Sequence, residues 1–123
     1  MANPILLLDD DPVLLEVMAQ VIEVYCGRSS LQIKGLAELQ QRVEEVKRCS
    51  LAFLDINLGP DQPSGTEAFL WLKKVHFTGK TYFFTGHART HPLVVQALAL
   101  GEADLLTKPV DVDRLVKIIG VSP

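Results

Sequence analysis

Carboxylates, a hydroxyl and an ammonium stand at the ends of apolar runs in this 123-residue sequence. Ile5-Leu6-Leu7-Leu8 leads into Asp9, Asp10 and Asp11, and Leu51-Ala52-Phe53-Leu54 leads into Asp55. Tyr82-Phe83-Phe84 leads into Thr85, and Leu105-Leu106-Thr107 is followed by Lys108-Pro109. Two carboxylates about 4 Å apart repel by roughly 4 kcal/mol at an effective dielectric near 20. Asp9, Asp10 and Asp55 gathered in one place therefore need a cation or raised pKa values. A hard divalent cation fits, since Mg²⁺ takes one or two carboxylates together with waters and phosphate oxygens. A threonine and a lysine facing it would hold the remaining oxygens of a phosphoryl group. An aspartate can itself attack phosphorus and carry an acyl phosphate. The set suits the acceptance of a phosphoryl group on a carboxylate. Asp11 stands apart, because helix capping ahead of Pro12 accounts for it fully.

These residues share a site only if the chain brings its strand ends together. Short continuous apolar runs at Ile5–Leu8, Leu31–Lys34, Leu51–Leu54, Thr81–Phe84 and Ala103–Leu106 predict strands buried on both faces, as in a parallel sheet. Helical spacing separates them: Pro12 to Tyr25, Ala37 to Lys47, Thr66 to Val75, Pro92 to Leu100 and Val112 to Ile119. The first helix is expected to bury Leu14, Val17, Met18, Val21 and Ile22, and Asp111 is placed to cap the last. Strands alternating with helices make an α/β, (βα)5 doubly wound domain with a five-stranded parallel sheet. Right-handed crossovers then place every C-terminal strand end on one rim. The stretch Ile56–Gly65, rich in Gly, Pro and Asp, follows the third strand on that rim, where ligands bind in such folds.

Composition narrows the function classes. With 48% hydrophobic and 22% charged residues, eight Gly and seven Pro, the chain is neither disordered, collagen-like nor a disulfide scaffold. A net charge of -3 supplies no general attraction for phosphate backbones, so nucleic-acid binding by this domain is not expected. Cys26 and Cys49 read as reduced thiols near element ends. The start Met1-Ala2-Asn3-Pro4 lacks the basic region of a signal peptide. Ile5–Leu8 is far shorter than the roughly 20 residues of a membrane helix. A cytoplasmic location and no membrane partner are expected.

Four pieces, each at a strand end and in order, carry a family resemblance: Leu6-Leu7-Leu8-Asp9-Asp10-Asp11-Pro12, Phe53-Leu54-Asp55-Ile56-Asn57-Leu58, Phe83-Phe84-Thr85-Gly86 and Leu105-Leu106-Thr107-Lys108-Pro109. Over essentially its whole length the sequence resembles a response-regulator receiver domain of two-component signalling, in the CheY-like superfamily. The resemblance implies one receiver domain over residues 1–123, a flavodoxin-like fold and strand order 2-1-3-4-5. Asp55 would be the phosphoryl acceptor, with Thr85 and Lys108 binding phosphoryl oxygens. Asp10 would bind Mg²⁺ directly, Asp9 through water, and Asn57 by its backbone carbonyl. Gly86 is the small residue that leaves the donor access, and the Lys108–Pro109 bond is expected to be cis. The implied donor is a sensor histidine kinase or a histidine phosphotransfer protein. The domain would act as a switch, catalysing only its own phosphorylation and dephosphorylation.

Some features depart from the family pattern. Leu105 occupies the switch position three residues before the lysine, where an aromatic is usual. The loop from Asp55 to Gly65 is about two residues longer than the common spacing and is shaped by Gly59, Pro60 and Pro63. His87, two residues past Thr85, is expected to set the lifetime of the aspartyl phosphate together with Asn57. His87 and His91 have no acidic partner and do not make a metal site. Pro92–Leu100 contains no charged residue, so Val95 and Ala99 are expected to form a contact surface for a homodimer or an output partner. Gly120-Val121-Ser122-Pro123 has linker composition, compatible with either a stand-alone domain or one cut from a longer chain.

Two other readings compete. Asp9-Asp10-Asp11-Pro12-Val13 fits the D-x-D-x-V opening of haloacid-dehalogenase-like phosphohydrolases, with Asp9 as nucleophile. That reading leaves Asp55 without a role, and Asp111 and Asp113 stand too close to Lys108 to serve as the later acid pair. A pseudo-receiver acting only as a binding module is disfavoured by the complete acceptor set. No Lys precedes Thr66 in the manner of a phosphate-binding nucleotide loop.

Overall fold

A computed structural model of the chain describes residues 3–56, 64–86, 92–100, 104–108 and 111–120. In chain order the elements are β1 (Ile5–Leu8), α1 (Pro12–Cys26), β2 (Ser30–Ile33), α2 (Leu36–Gln41), α3 (Val43–Lys47) and β3 (Leu51–Asp55). They continue as α4 (Gly65–Lys74), β4 (Lys80–Thr85), α5 (Pro92–Ala99), β5 (Asp104–Thr107) and α6 (Val112–Ile119). The strands pair in the order β2-β1-β3-β4-β5, and every pairing is parallel. This is the (βα)5 doubly wound domain expected from the alternating pattern, in the flavodoxin-like strand order that the family resemblance implies.

The strands read as continuous apolar runs because the sheet is covered on both faces. Leu6, Leu8, Ala52, Leu54, Phe83 and Leu105 face one layer, with Leu39, Val46, Ala68, Phe69, Leu72, Val94 and Ala97 from α2 to α5. Ile5, Leu7, Phe53, Tyr82, Phe84 and Leu106 face the other, with Leu15, Met18, Ile22 and Leu115 from α1 and α6. Alternation along each strand produces the two layers. Each fully buried aliphatic side chain contributes about 1.5–3 kcal/mol toward holding the sheet rigid.

Local details depart from the pattern. The buried face of α1 is Leu15, Met18, Ile22 and Cys26, with Leu14 and Val21 half-buried against the same layer as expected, while Val17 is 50% exposed. Most positions of this helix are apolar, so composition alone does not select its phase. Asp11 does, by accepting from the Val13 and Leu14 amides and fixing where the first turn begins. The expected second helix is two, α2 and α3, because Arg42 leaves helical geometry at φ -107° and ψ 32°. Ion pairs from Arg42 to Glu38 (3.3 Å) and Glu45 (2.7 Å) hold that break. Backbone pairing also shifts strand ends: β2 begins at Ser30, and β5 reaches Thr107, opposite Thr85. Cys26 and Cys49 are free and buried.

Candidate functional site: an acidic cluster bridged by a lysine

The C-terminal ends of β1, β3 and β4 and the exit of β5 bring the chemistry-bearing residues to one rim. β1 is the point where strand order reverses, with β2 on one side and β3 on the other. Ligands bind at such switch points because the crossovers leave a crevice there.

Asp9 extends the sheet by one more rung, its amide donating to the Ile33 carbonyl at 3.0 Å. Its carboxylate is buried, 3% exposed, and accepts from the Asp11 amide at 2.9 Å. Asp55 ends β3 at 5% exposure. The Lys108 ammonium bridges the two, 3.0 Å from Asp9 Oδ2 and 3.2 Å from Asp55 Oδ2. Burial draws the Lys108 pKa down, but the hydrogen bond to Asp9 and the charges of Asp55 and Asp9 outweigh it and push it up. Asp10 sits exposed at the lip, and its pKa is raised, first by desolvation and then by the charge of Asp9.

One carboxylate oxygen from each of Asp9, Asp10 and Asp55 lies within 4.8 Å of the others. Among the described residues a single ammonium faces three carboxylates, an excess of negative charge that suits a hard divalent cation. An all-oxygen donor set of this kind fits Mg²⁺, and the residues present to hold it are these three aspartates.

Thr85 closes β4 and is 1% exposed. Its carbonyl accepts from the Lys108 amide at 2.8 Å, which ties the exits of β4 and β5. Gly86 follows at the surface, and among the described residues a Cβ there would meet nothing within 4 Å. Asp11 faces α1 and caps it, at 3.0 Å from the Val13 amide. Asn57, the loop residues Gly59, Pro60 and Pro63, His87, His91 and Pro109 lie outside the described residues.

Leu105 is buried beside Phe83 and the inner residues of α5, Val94 and Ala97. The outer side of α5 carries Val95 at 52% and Leu98 at 38% exposure, with Ala99 also exposed. The uncharged helix is thus half core and half surface.

One residue close to the site escaped sequence reasoning. Gly65 opens α4 directly against the main chain of Asp55, and its amide donates to the Ile56 carbonyl at 2.9 Å. A glycine at the start of a helix with no turn to make was the available signal.

The family model for the response regulator receiver domain matches residues 5–120. The chain belongs to that family. As a receiver domain it is a signalling module of two-component response regulators rather than a conventional enzyme. It is 33% identical over 121 residues to the nitrogen assimilation regulatory protein NtrX of Azorhizobium caulinodans, covering 96% of this chain. The receiver chain spans 25% of that relative's length. A response regulator receiver domain protein (CheY-like) from Methanospirillum hungatei superposes with a TM-score of 0.79 at 27% identity, covering 97% of this chain and 91% of that one. The receiver domain of NtrX from Brucella abortus gives a TM-score of 0.76 at 24% identity, covering 93% and 92%, and shares the fold. Among the described residues no helix of this receiver is long and apolar enough to cross a membrane.

Proposed function

We propose that this receiver accepts a phosphoryl group on Asp55 from a phospho-histidine of a sensor histidine kinase or histidine phosphotransfer protein. The single observation that carries the reading is the Lys108 bridge between Asp9 and Asp55, with Asp10 completing an acidic cluster. An Asp55 carboxylate oxygen attacks phosphorus in line, forming an O–P bond. The N–P bond breaks, and its electron pair stays on the imidazole nitrogen of the donor. Lys108 then pairs with a phosphoryl oxygen, and the Thr85 hydroxyl donates to another. Asp9, Asp10 and Asp55, with the Asn57 carbonyl, would hold Mg²⁺, which would supply positive charge against the phosphoryl oxygens. Water later cleaves the acyl phosphate, at a rate set by Asn57 and His87.

The added charge shifts a balance between two pre-existing states, by no more than its differential stabilisation of one of them. Thr85 and Lys108 move together toward the phosphoryl group, and the change reaches β5, α5 and α6. Val95 and Ala99 on α5 are the contact surface for a second copy or an output partner.

Intact-mass analysis with a small phosphodonor or beryllofluoride tests the reading on wild type, Asp55→Asn and Asp9→Asn. A Mg²⁺-dependent adduct lost in Asp55→Asn and only weakened in Asp9→Asn supports it. An adduct that persists in Asp55→Asn and disappears in Asp9→Asn would overturn it.

A further inference from the structure

The end of β3 and the start of α4 meet in a backbone contact with no slack. The first residue of α4, Gly65, lies so close to the end of β3 that a Cβ there would fall inside the van der Waals envelope of the Asp55 carbonyl oxygen. The same Cβ would stand 2.9 Å from the Asp55 carbonyl carbon and 3.0 Å from Ile56 Cα. All three atoms are main chain, so no side chain can swing aside to make room. Two hydrogen bonds hold this segment from opposite sides. The Gly65 amide donates to the Ile56 carbonyl at 2.9 Å, and the Ile56 amide donates to the Phe84 carbonyl at 3.0 Å. Ile56 itself is fully buried, which fixes the peptide that follows Asp55.

We propose that Gly65 is a positioning residue for the phosphoryl acceptor: α4 and β4 clamp the Asp55–Ile56 peptide, and the clamp aims the Asp55 carboxylate at Lys108 and the cation site. This rests on the phosphoacceptor reading above and goes beyond it. Adding a methyl group forces α4 to lift or the Asp55–Ile56 peptide to rotate. Rotation moves the Asp55 carboxylate relative to the Lys108 ammonium, 3.2 Å away, and lifting α4 breaks the Gly65–Ile56 hydrogen bond and frees the peptide to shift. Geometry errors of about 1 Å at a reacting atom can cost on the order of 100-fold in rate.

Gly79 provides a matched control. A Cβ there would meet the Ser50 carbonyl oxygen at 2.7 Å and Phe77 Cζ at 2.6 Å, again a severe clash. Gly79 precedes β4 at its N-terminal end, whereas Thr85 and the site lie at the other. At about 3.3 Å per strand residue, the two ends are roughly 17 Å apart.

Gly65→Ala and Gly79→Ala are compared with wild type for phosphorylation rate and for Mg²⁺ affinity by titration, with circular dichroism to confirm folding. Gly65→Ala is expected to slow phosphorylation at least tenfold and to weaken Mg²⁺ binding several-fold. Gly79→Ala is expected to keep both within twofold while lowering stability. Wild-type rates in Gly65→Ala, or equal losses in the two variants, would overturn the proposal. Should Gly65→Ala fail to fold, amide exchange in wild type decides instead. The Gly65 amide should exchange more slowly once Mg²⁺ is added, and unchanged exchange counts against the clamp. A wild type that binds Mg²⁺ but takes no phosphoryl group refutes the phosphoacceptor reading alone, leaving the Mg²⁺ titration to judge Gly65. A wild type that does neither refutes both.

Discussion

The Lys108 amide donates to the Thr85 carbonyl across 2.8 Å, so the two residues proposed to grip the phosphoryl group are joined through their main chains. A displacement of either strand exit carries the other with it. On the proposed reading, the hydroxyl and the ammonium would reach a new charge as one unit.

Lys108 also sets the stability of the cation-free site. Removing its ammonium leaves the buried Asp9 and Asp55 facing each other without a counter-charge. In the presence of a chelator, Lys108→Met should unfold more easily by about 3 kcal/mol in urea titrations. Millimolar Mg²⁺ should restore part of that loss, because a cation bound to the native state replaces the missing charge. Since the folded Lys108 pKa is raised above 10.5, its contribution is fully present below that value and lost as pH rises through the folded pKa. Wild-type and Lys108→Met midpoints should thus converge at strongly alkaline pH.

Asp10 should behave in the opposite sense. Desolvation and the charge of Asp9 raise its pKa above 3.8, so its ionised form opposes folding when no cation is present. With chelator at neutral pH, Asp10→Asn should raise the melting temperature while weakening Mg²⁺ binding at least tenfold. The thermal difference from wild type should shrink as pH falls through the folded pKa, because protonation relieves the same penalty. A variant less stable than wild type under chelation would contradict this account.

Asp11 separates capping from chemistry. Its side chain serves the Val13 and Leu14 amides, whereas its own amide serves Asp9. Asp11→Ala should cost about 1 kcal/mol of stability and leave Mg²⁺-dependent modification unchanged. A loss of modification would show that the third acid joins the site.

The parts legible in the sequence are those whose causes are local. Continuous apolar runs gave strands covered on both faces, and Asp11-Pro12 gave the start of α1 within one residue. Once the strands are parallel, Asp9, Asp55, Thr85 and Lys108 have to meet on one rim, so their convergence needed only the topology. The face of α1 was legible at Leu14, Met18, Val21 and Ile22, whereas Val17 points outward and Leu15 takes its place, because most positions of that helix are apolar. The break at Arg42 is accompanied by ion pairs to Glu38 and Glu45, charged neighbours that continue a helical pattern in sequence and do not announce a break. Gly65 depends on a contact with Asp55, ten residues away through a loop, which no periodicity encodes.

The amides of Asp9, Ile56 and Lys108 bond to Ile33, Phe84 and Thr85, extending the hydrogen-bonded sheet into the site. Groups wired into a buried sheet exchange with solvent only when the whole domain opens. The main chain that carries Asp9, Asp55 and Lys108 is thus tied to the sheet, and the amides of Asp9, Ile56 and Lys108 should be among the slowest to exchange. Signalling there has to proceed by displacements of a rigid frame, and heat should abolish cation binding and the fold in a single transition.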